Sequence, residues 1–347
     1  MSSIKESQEL FIACQQAWTR GASAAWAVIT AVDGSAYRRP GAKMLVTNDN
    51  DMRGSLSGGC LEADLYLQAQ EVIGQGQGKV LHYDLAEDAT WGLGIGCKGS
   101  LDILVLPVRH HDEFWRSFSA SLKKSQALVW IHEVPDGQKG LLMADGNRLG
   151  DPLPTELWTL AERVIGKHSQ LTHLDHRVFF VDPMTPAPRL IICGAGHDAR
   201  PMVHLAAMAG FEVAVLDPRP HFNHPDRLPG ASAHWVQEPH TAGLDVPYAS
   251  FWLIMNHHRQ RDLDSLRVAL TKHPRWLGVL GPRRRTEGIL DNLGLTFSDA
   301  PIVAPPGLDL GAETPEQVAL SITAQMLSTL TKRSATPLHG RTRIHSS

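Results

Sequence analysis

The chain has 347 residues, of which 43% are hydrophobic and 20% charged, with a formal net charge of -3. This is the composition of a soluble globular protein large enough for two or three domains. The charge gives no global attraction to nucleic acid or to an anionic membrane surface, and no apolar run approaches the roughly 18 residues of a membrane span.

The start, Met1-Ser-Ser-Ile-Lys-Glu, leads into an amphipathic stretch and not into a signal-peptide core, so the expected location is the cytoplasm. Residues 7–20 read as a helix in which Leu10, Phe11, Cys14 and Trp18 share a face, with Gly21 as its stop. Cys14 is therefore expected in the core. Ala24 to Val32 reads as a strand and Met44 to Thr47 as a second. Between them Arg38, Arg39 and Lys43 bracket a Pro40-Gly41 corner. That segment is either a solvated basic loop or an anion-binding loop, because guanidinium groups grip phosphate in a bidentate way.

Next come Gly58-Gly59-Cys60-Leu61-Glu62 and a helix over about 61–72. Paired glycines before a helix turn backbone N–H groups toward a ligand, and a thiol at that helix start is favoured as thiolate by the dipole. A tight turn with a half-buried thiol is the plain alternative. The Gly-Lys-Ser/Thr ending of a Walker loop is missing. Val80 to Leu85 alternates like a strand. A second glycine-rich loop, Gly92-Leu-Gly94-Ile-Gly96-Cys97-Lys98, then feeds the strand Leu101 to Val108. Cys14, Cys60, Cys97 and Cys193 form no Cys-x-x-Cys pair, so neither a zinc site nor a redox dithiol is readable.

The middle segment, 111–187, carries a hairpin around Pro135-Asp136-Gly137, a helix over 154–165 and a strand from Val178 to Val181. Its histidines show no metal-ligand spacing. Pro183, Pro186 and Pro188 make a stiff linker and the best domain boundary. The domains expected are thus 1–110 (α+β), the segment 111–187, an α/β domain over 188–331 and a loose tail over 332–347.

The α/β domain opens on a βαβ unit. Leu190-Ile-Ile-Cys193 enters the turn Gly194-Ala195-Gly196-His197-Asp198-Ala199, a helix follows, and Val213-Ala-Val-Leu216 ends on Asp217. Gly194 permits the tight turn, Gly196 lets the backbone approach a phosphate, and Asp217 lies about 20 residues on, where an acid reaches a ribose hydroxyl. Buried strands at Phe251 to Met255 and Trp276 to Leu280 end on Asn256-His257 and on Gly281-Pro282-Arg283-Arg284-Arg285. In a Rossmann-like, doubly wound parallel sheet these ends rim one crevice with the glycine turn. Cations are unfavourable at a helix start, which points the three arginines toward an anion partner. Gly307-Leu308-Asp309-Leu310-Gly311-Ala312-Glu313 is a further loop bearing two acids, and Thr314-Pro315-Glu316-Gln317 starts the last helix with a capping box.

These motifs together resemble the XdhC/CoxI family, the accessory factors of xanthine dehydrogenase and related molybdenum hydroxylases. The matching runs are Gly34-Ser35, Arg38-Arg39-Pro40-Gly41-Ala42-Lys43-Met44, Gly58-Gly59-Cys60-Leu61-Glu62, Gly94-Ile95-Gly96-Cys97, Gly194-Ala195-Gly196-His197, Asp217-Pro218-Arg219, Leu280-Gly281-Pro282-Arg283-Arg284 and Gly307 to Glu316. The resemblance covers 25–108 and 188–330. It departs at Pro282, Lys98 and Ala36-Tyr37. It implies a chaperone that binds molybdenum cofactor (molybdopterin or its dinucleotide form), assists its sulfuration with a cysteine desulfurase and delivers it to an apo-hydroxylase, as a homodimer. The residues expected to hold the cofactor are Arg38, Arg39, Lys43, Gly58, Gly59, Cys60, Glu62, Gly96, Cys97, Gly194, Gly196, His197, Asp217, Arg283, Arg284, Asp309 and Glu313. Cys60 and Cys97 would be the contacts to molybdenum, since thiolates are soft ligands.

Three other readings stay open on the residues. An NAD(P)-dependent oxidoreductase accounts for the βαβ unit but leaves Cys60 and Cys97 idle. A sulfurtransferase would carry a persulfide on one of those cysteines. A purely scaffolding protein would use the glycine turns as topology alone.

Overall fold

Eleven consecutive residues from Ala24 to Gly34 begin with seven buried ones, and this strand anchors the first half of the molecule. The computed structural model describes residues 2–34, 36–85, 99–241, 246 and 250–339. They fall into two compact units, Met1–Pro186 and Ala187–Ser347.

The first unit runs β1 (Ser2–Ser3), α1 (Ile4–Thr19), β2 (Ala24–Gly34), β3 (Lys43–Thr47), β4 (Met52–Gly54), α2 (Glu62–Gln75), β5 (Lys79–Asp84) and β6 (Gly99–Val108). It continues with α3 (Glu113–Lys123), β7 (Leu128–Glu133), β8 (Lys139–Met143), β9 (Arg148–Gly150), α4 (Thr155–Val164), β10 (Gln170–Leu174) and β11 (Arg177–Thr185). One antiparallel sheet has the order β4-β3-β2-β6-β5, and a second sheet, antiparallel except for the parallel β1–β11 pair, has the order β1-β11-β7-β8-β9 with β10 against β11. Alternate residues of a strand face opposite sides, and β2 uses both. Ala24, Trp26 and Val28 pack with Phe11 and Cys14 of α1 and with Trp115 and Phe118 of α3. Ala25, Ala27 and Ile29 pack with Leu65, Ala69 and Val72 of α2. A strand buried on both faces reads as an unbroken apolar run.

Helix α3 is an addition to the elements expected from the sequence. Its signals are present: Asp112 accepts a hydrogen bond from Phe114 N–H at 2.8 Å as a cap, and Trp115, Phe118 and Leu122 recur at helical spacing on the buried face. A buried ion pair ties the two sheets together. Lys43 Nζ lies 2.6 Å from Asp182 Oδ2, with both side chains wholly buried. Lys43 also donates to Gly41 O at 2.8 Å, and Ser169 Oγ donates to Asp182 Oδ1 at 2.6 Å.

The second unit runs β12 (Arg189–Cys193), α5 (Ala199–Met208), β13 (Glu212–Leu216), β14 (Ala231–Trp235), β15 (Phe251–Ile254), α6 (Arg259–Thr271), β16 (Trp276–Val279), α7 (Arg283–Asp291), β17 (Ile302–Val303) and α8 (Pro315–Thr331). The strands are all parallel, in the order β14-β13-β12-β15-β16-β17. Counted along the chain this is 3-2-1-4-5-6, the dinucleotide-fold order. Met202, Val203 and Ala206 of α5 pack with Ile322 and Met326 of α8 on one face. Leu266 and Ala269 of α6 pack with Ile289 and Leu290 of α7 on the other. The α/β class with an α+β amino-terminal part therefore stands as read. The capping box at Thr314 is present, with Gln317 N–H donating to Thr314 Oγ1 and Gln317 Oε1 accepting from Thr314 N–H. Among the described residues no helix is long and apolar enough to cross a membrane.

Removing one partner of a buried ion pair strands the other, at a cost of about 3–5 kcal/mol. Lys43→Met is expected to lose that much stability in urea unfolding, and adding Asp182→Leu is expected to recover most of it. A neutral single substitution would show that the pair does not bind the sheets together.

Candidate functional site

The carboxyl ends of β12, β13, β15 and β16 lie along one edge of a parallel sheet, so the segments that leave them form a rim. The order of the sheet reverses between β12 and β15, which opens a crevice there. Gly194 stands at that point with φ +116°, and a Cβ on it would lie 2.5 Å from Met255 O. Only glycine lets the two strand ends approach this closely. The turn then presents the N–H groups of Gly196, His197 and Asp198, which have no hydrogen-bond partner among the described residues. They stand before the first turn of α5, where backbone donors and the helix dipole favour an anion.

Asp217, at the end of β13, does not project as an open acid. Its Oδ2 accepts from Ala195 N–H at 2.7 Å and from Arg219 Nη2 at 2.7 Å. Its Oδ1 accepts from Arg219 N–H and Nε, both at 2.9 Å. Burial works against the charged form, but the Arg219 hydrogen bonds outweigh it and hold the carboxyl below its ordinary range. Beyond β15, His257 adopts a left-handed backbone (φ +53°) and its Nε2 sits 2.6 Å from Asp198 Oδ2, across the mouth of the turn. Asn256 is buried. Its Nδ2 donates to Asp262 Oδ1 and Ser265 Oγ, each at 3.1 Å, while its Oδ1 is buried without a partner among the described residues.

The three arginines after β16 part ways. Arg285 pairs with the buried Asp262, whose carboxyl burial pushes up despite that cation. Arg283 pairs with Glu287 at 3.0 Å and lies 4.2 Å over the Phe297 ring. Arg284 is exposed, with no ion-pair or hydrogen-bond partner among the described residues. The loop between β17 and α8 also leaves the carboxyl edge. It holds Asp309 and Glu313 in the open, with no partner for either carboxylate among the described residues.

The expected residues of the first unit form a second cluster. Arg38 pairs with Glu6 at 2.6 Å and donates to Ser55 O at 3.3 Å, and the Tyr37 ring lies against Gly58. Arg39 lies on the same 37–41 segment, half-buried. The loop before α2 is an anion nest that already holds an anion. Glu62 Oε1 accepts from Ser55 Oγ (2.9 Å), Leu56 N–H (3.4 Å) and Ser57 N–H (3.2 Å). Glu62 Oε2 accepts from Ser57 Oγ, from Gly59 N–H (3.0 Å) and from Leu61 N–H (3.1 Å). Burial would raise this carboxyl, but the Ser57 and Ser55 hydrogen bonds prevail and bring it to about 2. Gly58 and Gly59, at φ +77° and +115°, supply the left-handed bends that aim the donors inward.

Cys60 is half-buried at the rim of that loop, whereas Cys14 and Cys193 are buried, each pushed up to about 12 by desolvation. Buried thiols of that kind are inert. Lys43 leaves the cluster altogether, since its ammonium is sealed against Asp182. Gly96 and Cys97 lie outside the described residues. Sequence reasoning missed Asp198, Phe222 and Arg227 at the crevice, and it quoted Arg219 only as part of a run. Its reading of the Gly58-Gly59 nest was chemically apt but did not identify Glu62 as the occupant.

Residues 190–326 match the XdhC Rossmann domain, and residues 17–84 match the XdhC and CoxI family. Over 87% of this chain and 92% of the relative, the sequence is 29% identical to a protein of Bacillus subtilis named as a probable subunit of xanthine dehydrogenase. It is 25% identical to the molybdenum cofactor insertion chaperone PaoD of Escherichia coli, over 90% of this chain and 85% of that one. A crystal structure described as a xanthine dehydrogenase from Bacillus halodurans superposes with a TM-score of 0.79 at 29% identity, covering 97% of this chain and 99% of that one.

The Glu62 nest has a pH signature. Its folded-state value lies below the ordinary 4.5, so its contribution is complete above 4.5 and is lost as pH falls through about 2. The Ser57, Gly59 and Leu61 amides are expected to stay protected from hydrogen exchange in acid well below 4.5. They are expected to lose protection at neutral pH in Glu62→Gln. Equal protection in the variant would remove Glu62 as the occupant of the nest.

Proposed function

The chain belongs to the XdhC and CoxI family, and from that premise we propose that it carries molybdenum cofactor as cargo to an apo molybdenum hydroxylase of the xanthine dehydrogenase type. The named relatives support an accessory role toward such hydroxylases. The observation that carries the reading is the Gly194–Asp198 turn: three N–H groups without a partner among the described residues stand beside an acid that is already occupied. A phosphate-bearing pterin suits that cradle. Its phosphate would lie between the turn donors and Arg219, which Asp217 joins through Ala195 N–H, and a pterin N–H would meet the orphaned Asn256 Oδ1. Arg284, on the rim, adds a cation with no other use. A nicotinamide dinucleotide is less suited, because its ribose diol would find no free acceptor on Asp217.

The chemistry of this chain is holding and release. Backbone donors bind the phosphate without a covalent bond, and a carrier must bind its cargo less tightly than the client does. In the first unit, the half-buried Cys60 thiol is the group proposed to serve cofactor sulfuration with a cysteine desulfurase. The proposed assembly is a homodimer in the cytoplasm.

Gly196 offers a direct test. A Cβ there would lie 2.7 Å from Asp198 Oδ1, a movable side-chain atom, so the fold tolerates it while the mouth of the cradle is crowded. Gly196→Ala is expected to bind anaerobically supplied molybdopterin at least about tenfold more weakly and to deliver correspondingly less to apo-hydroxylase, with its melting temperature unchanged. Undiminished binding would remove the turn from the cofactor site.

A further inference from the structure

At the end of β13 the usual reader of a ribose is spent. A carboxylate offers about four lone-pair sites. Those of Asp217 receive Ala195 N–H and three donors of Arg219. Arg219 in turn shares one aromatic ring with a second cation. The Arg219 guanidinium lies 4.4 Å and the Arg227 guanidinium 4.8 Å from the Phe222 ring centroid. The rings of His197 and His221 meet Phe222 edge-on at 6.2 and 5.7 Å.

We propose that this end of the crevice is an anion subsite, formed by Arg219 and Arg227 on Phe222, that takes a phosphate monoester where a dinucleotide fold ordinarily reads an unmodified ribose diol. The proposal deepens the cargo reading by naming the end group the cargo presents, and it rests on that reading only for the pterin arm of its test.

Three features support it. The first is charge: two guanidiniums share the Phe222 ring, Arg219 is paired with Asp217, and Arg227 has no ion-pair partner among the described residues. A phosphate monoester carries close to two negative charges and three outward oxygens, which a ribose or a phosphodiester lacks. The second is donor supply. Arg219 spends Nε and Nη2 on Asp217 and keeps Nη1, and the Arg227 guanidinium has no hydrogen-bond partner among the described residues. The third is rigidity. Asn223, next to Phe222, is buried and donates Nδ2 to the carbonyls of Val215 (3.2 Å), Asp217 (3.3 Å) and Trp235 (3.0 Å). Its Oδ1 lies 2.8 Å from His234 Nδ1. The platform is therefore fixed before a ligand arrives, so little ordering cost remains.

Two sources carry this chemistry, the terminal phosphate of a pterin and the 2′-phosphate of a nucleotide. Calorimetry on the full chain would use two pairs of probes: neopterin monophosphate against neopterin, and adenosine 2′,5′-bisphosphate against adenosine 5′-monophosphate. In at least one pair the extra phosphate is expected to tighten binding at least about tenfold, as charge-assisted hydrogen bonds do. Arg227→Ala is expected to erase that gain, and Arg227→Lys to restore part of it. Arg219→Ala frees Asp217 and is expected to improve adenosine 5′-monophosphate binding while weakening the bisphosphate. A gain in the pterin pair supports both the subsite and the cargo reading. A gain in the nucleotide pair alone supports the subsite and counts against the pterin. No gain in either pair, or a gain that survives in the folded Arg219→Ala/Arg227→Ala protein, overturns the subsite.

Discussion

The carboxylate of Asp217 holds the crevice together. It joins the glycine turn after β12, through Ala195 N–H, to the segment after β13, through Arg219. Both elements end at the same edge of the sheet, and a buried charge there is tolerable only because its acceptor sites are filled. With Asp217 engaged, the turn is held open toward Gly196 and His197, and Arg219 is steered onto Phe222. The crevice keeps the shape of a dinucleotide site but gives up its usual way of reading a ribose.

The same physical device appears in the first unit with the opposite consequence. At the Gly58-Gly59 loop an internal carboxylate, Glu62, occupies the anion nest. A nest filled from within is a structural element that fixes the loop and sets the place of Cys60. The N–H groups of Gly196, His197 and Asp198 have no such internal acceptor among the described residues. Two loops of similar composition thus serve different ends, and the difference lies in whether a carboxylate of the chain itself reaches the donors.

The second unit was legible because its signals are local. Strands β12, β13, β15 and β16 are short apolar runs, whereas β14 (Ala231–Trp235) alternates small and polar residues and β17 (Ile302–Val303) is only two residues long, and neither is legible as a strand. The cap at Thr314 could be read letter by letter for the same reason. The fate of charged residues was not legible, because it depends on contacts distant in sequence. Lys43 sits in a run of basic residues, yet it pairs with Asp182, 139 positions away. Arg283 to Arg285 read as one anion-seeking group, yet Asp262 and Glu287 claim two of them. Arg227 and Phe222 gave no motif at all, because the platform they form exists only once Asn223 has pinned its loop.

A carrier is defined by what it holds, so the most direct measurement is the identity of the molecule that travels with the protein. The chain would be expressed in a host that makes molybdenum cofactor, purified without oxygen, and its bound small molecules released and identified by mass spectrometry. The account predicts a phosphorylated pterin in amounts approaching one per chain, lost from Gly196→Ala. A chain that copurifies with no pterin, or with a nicotinamide dinucleotide in its place, would contradict it.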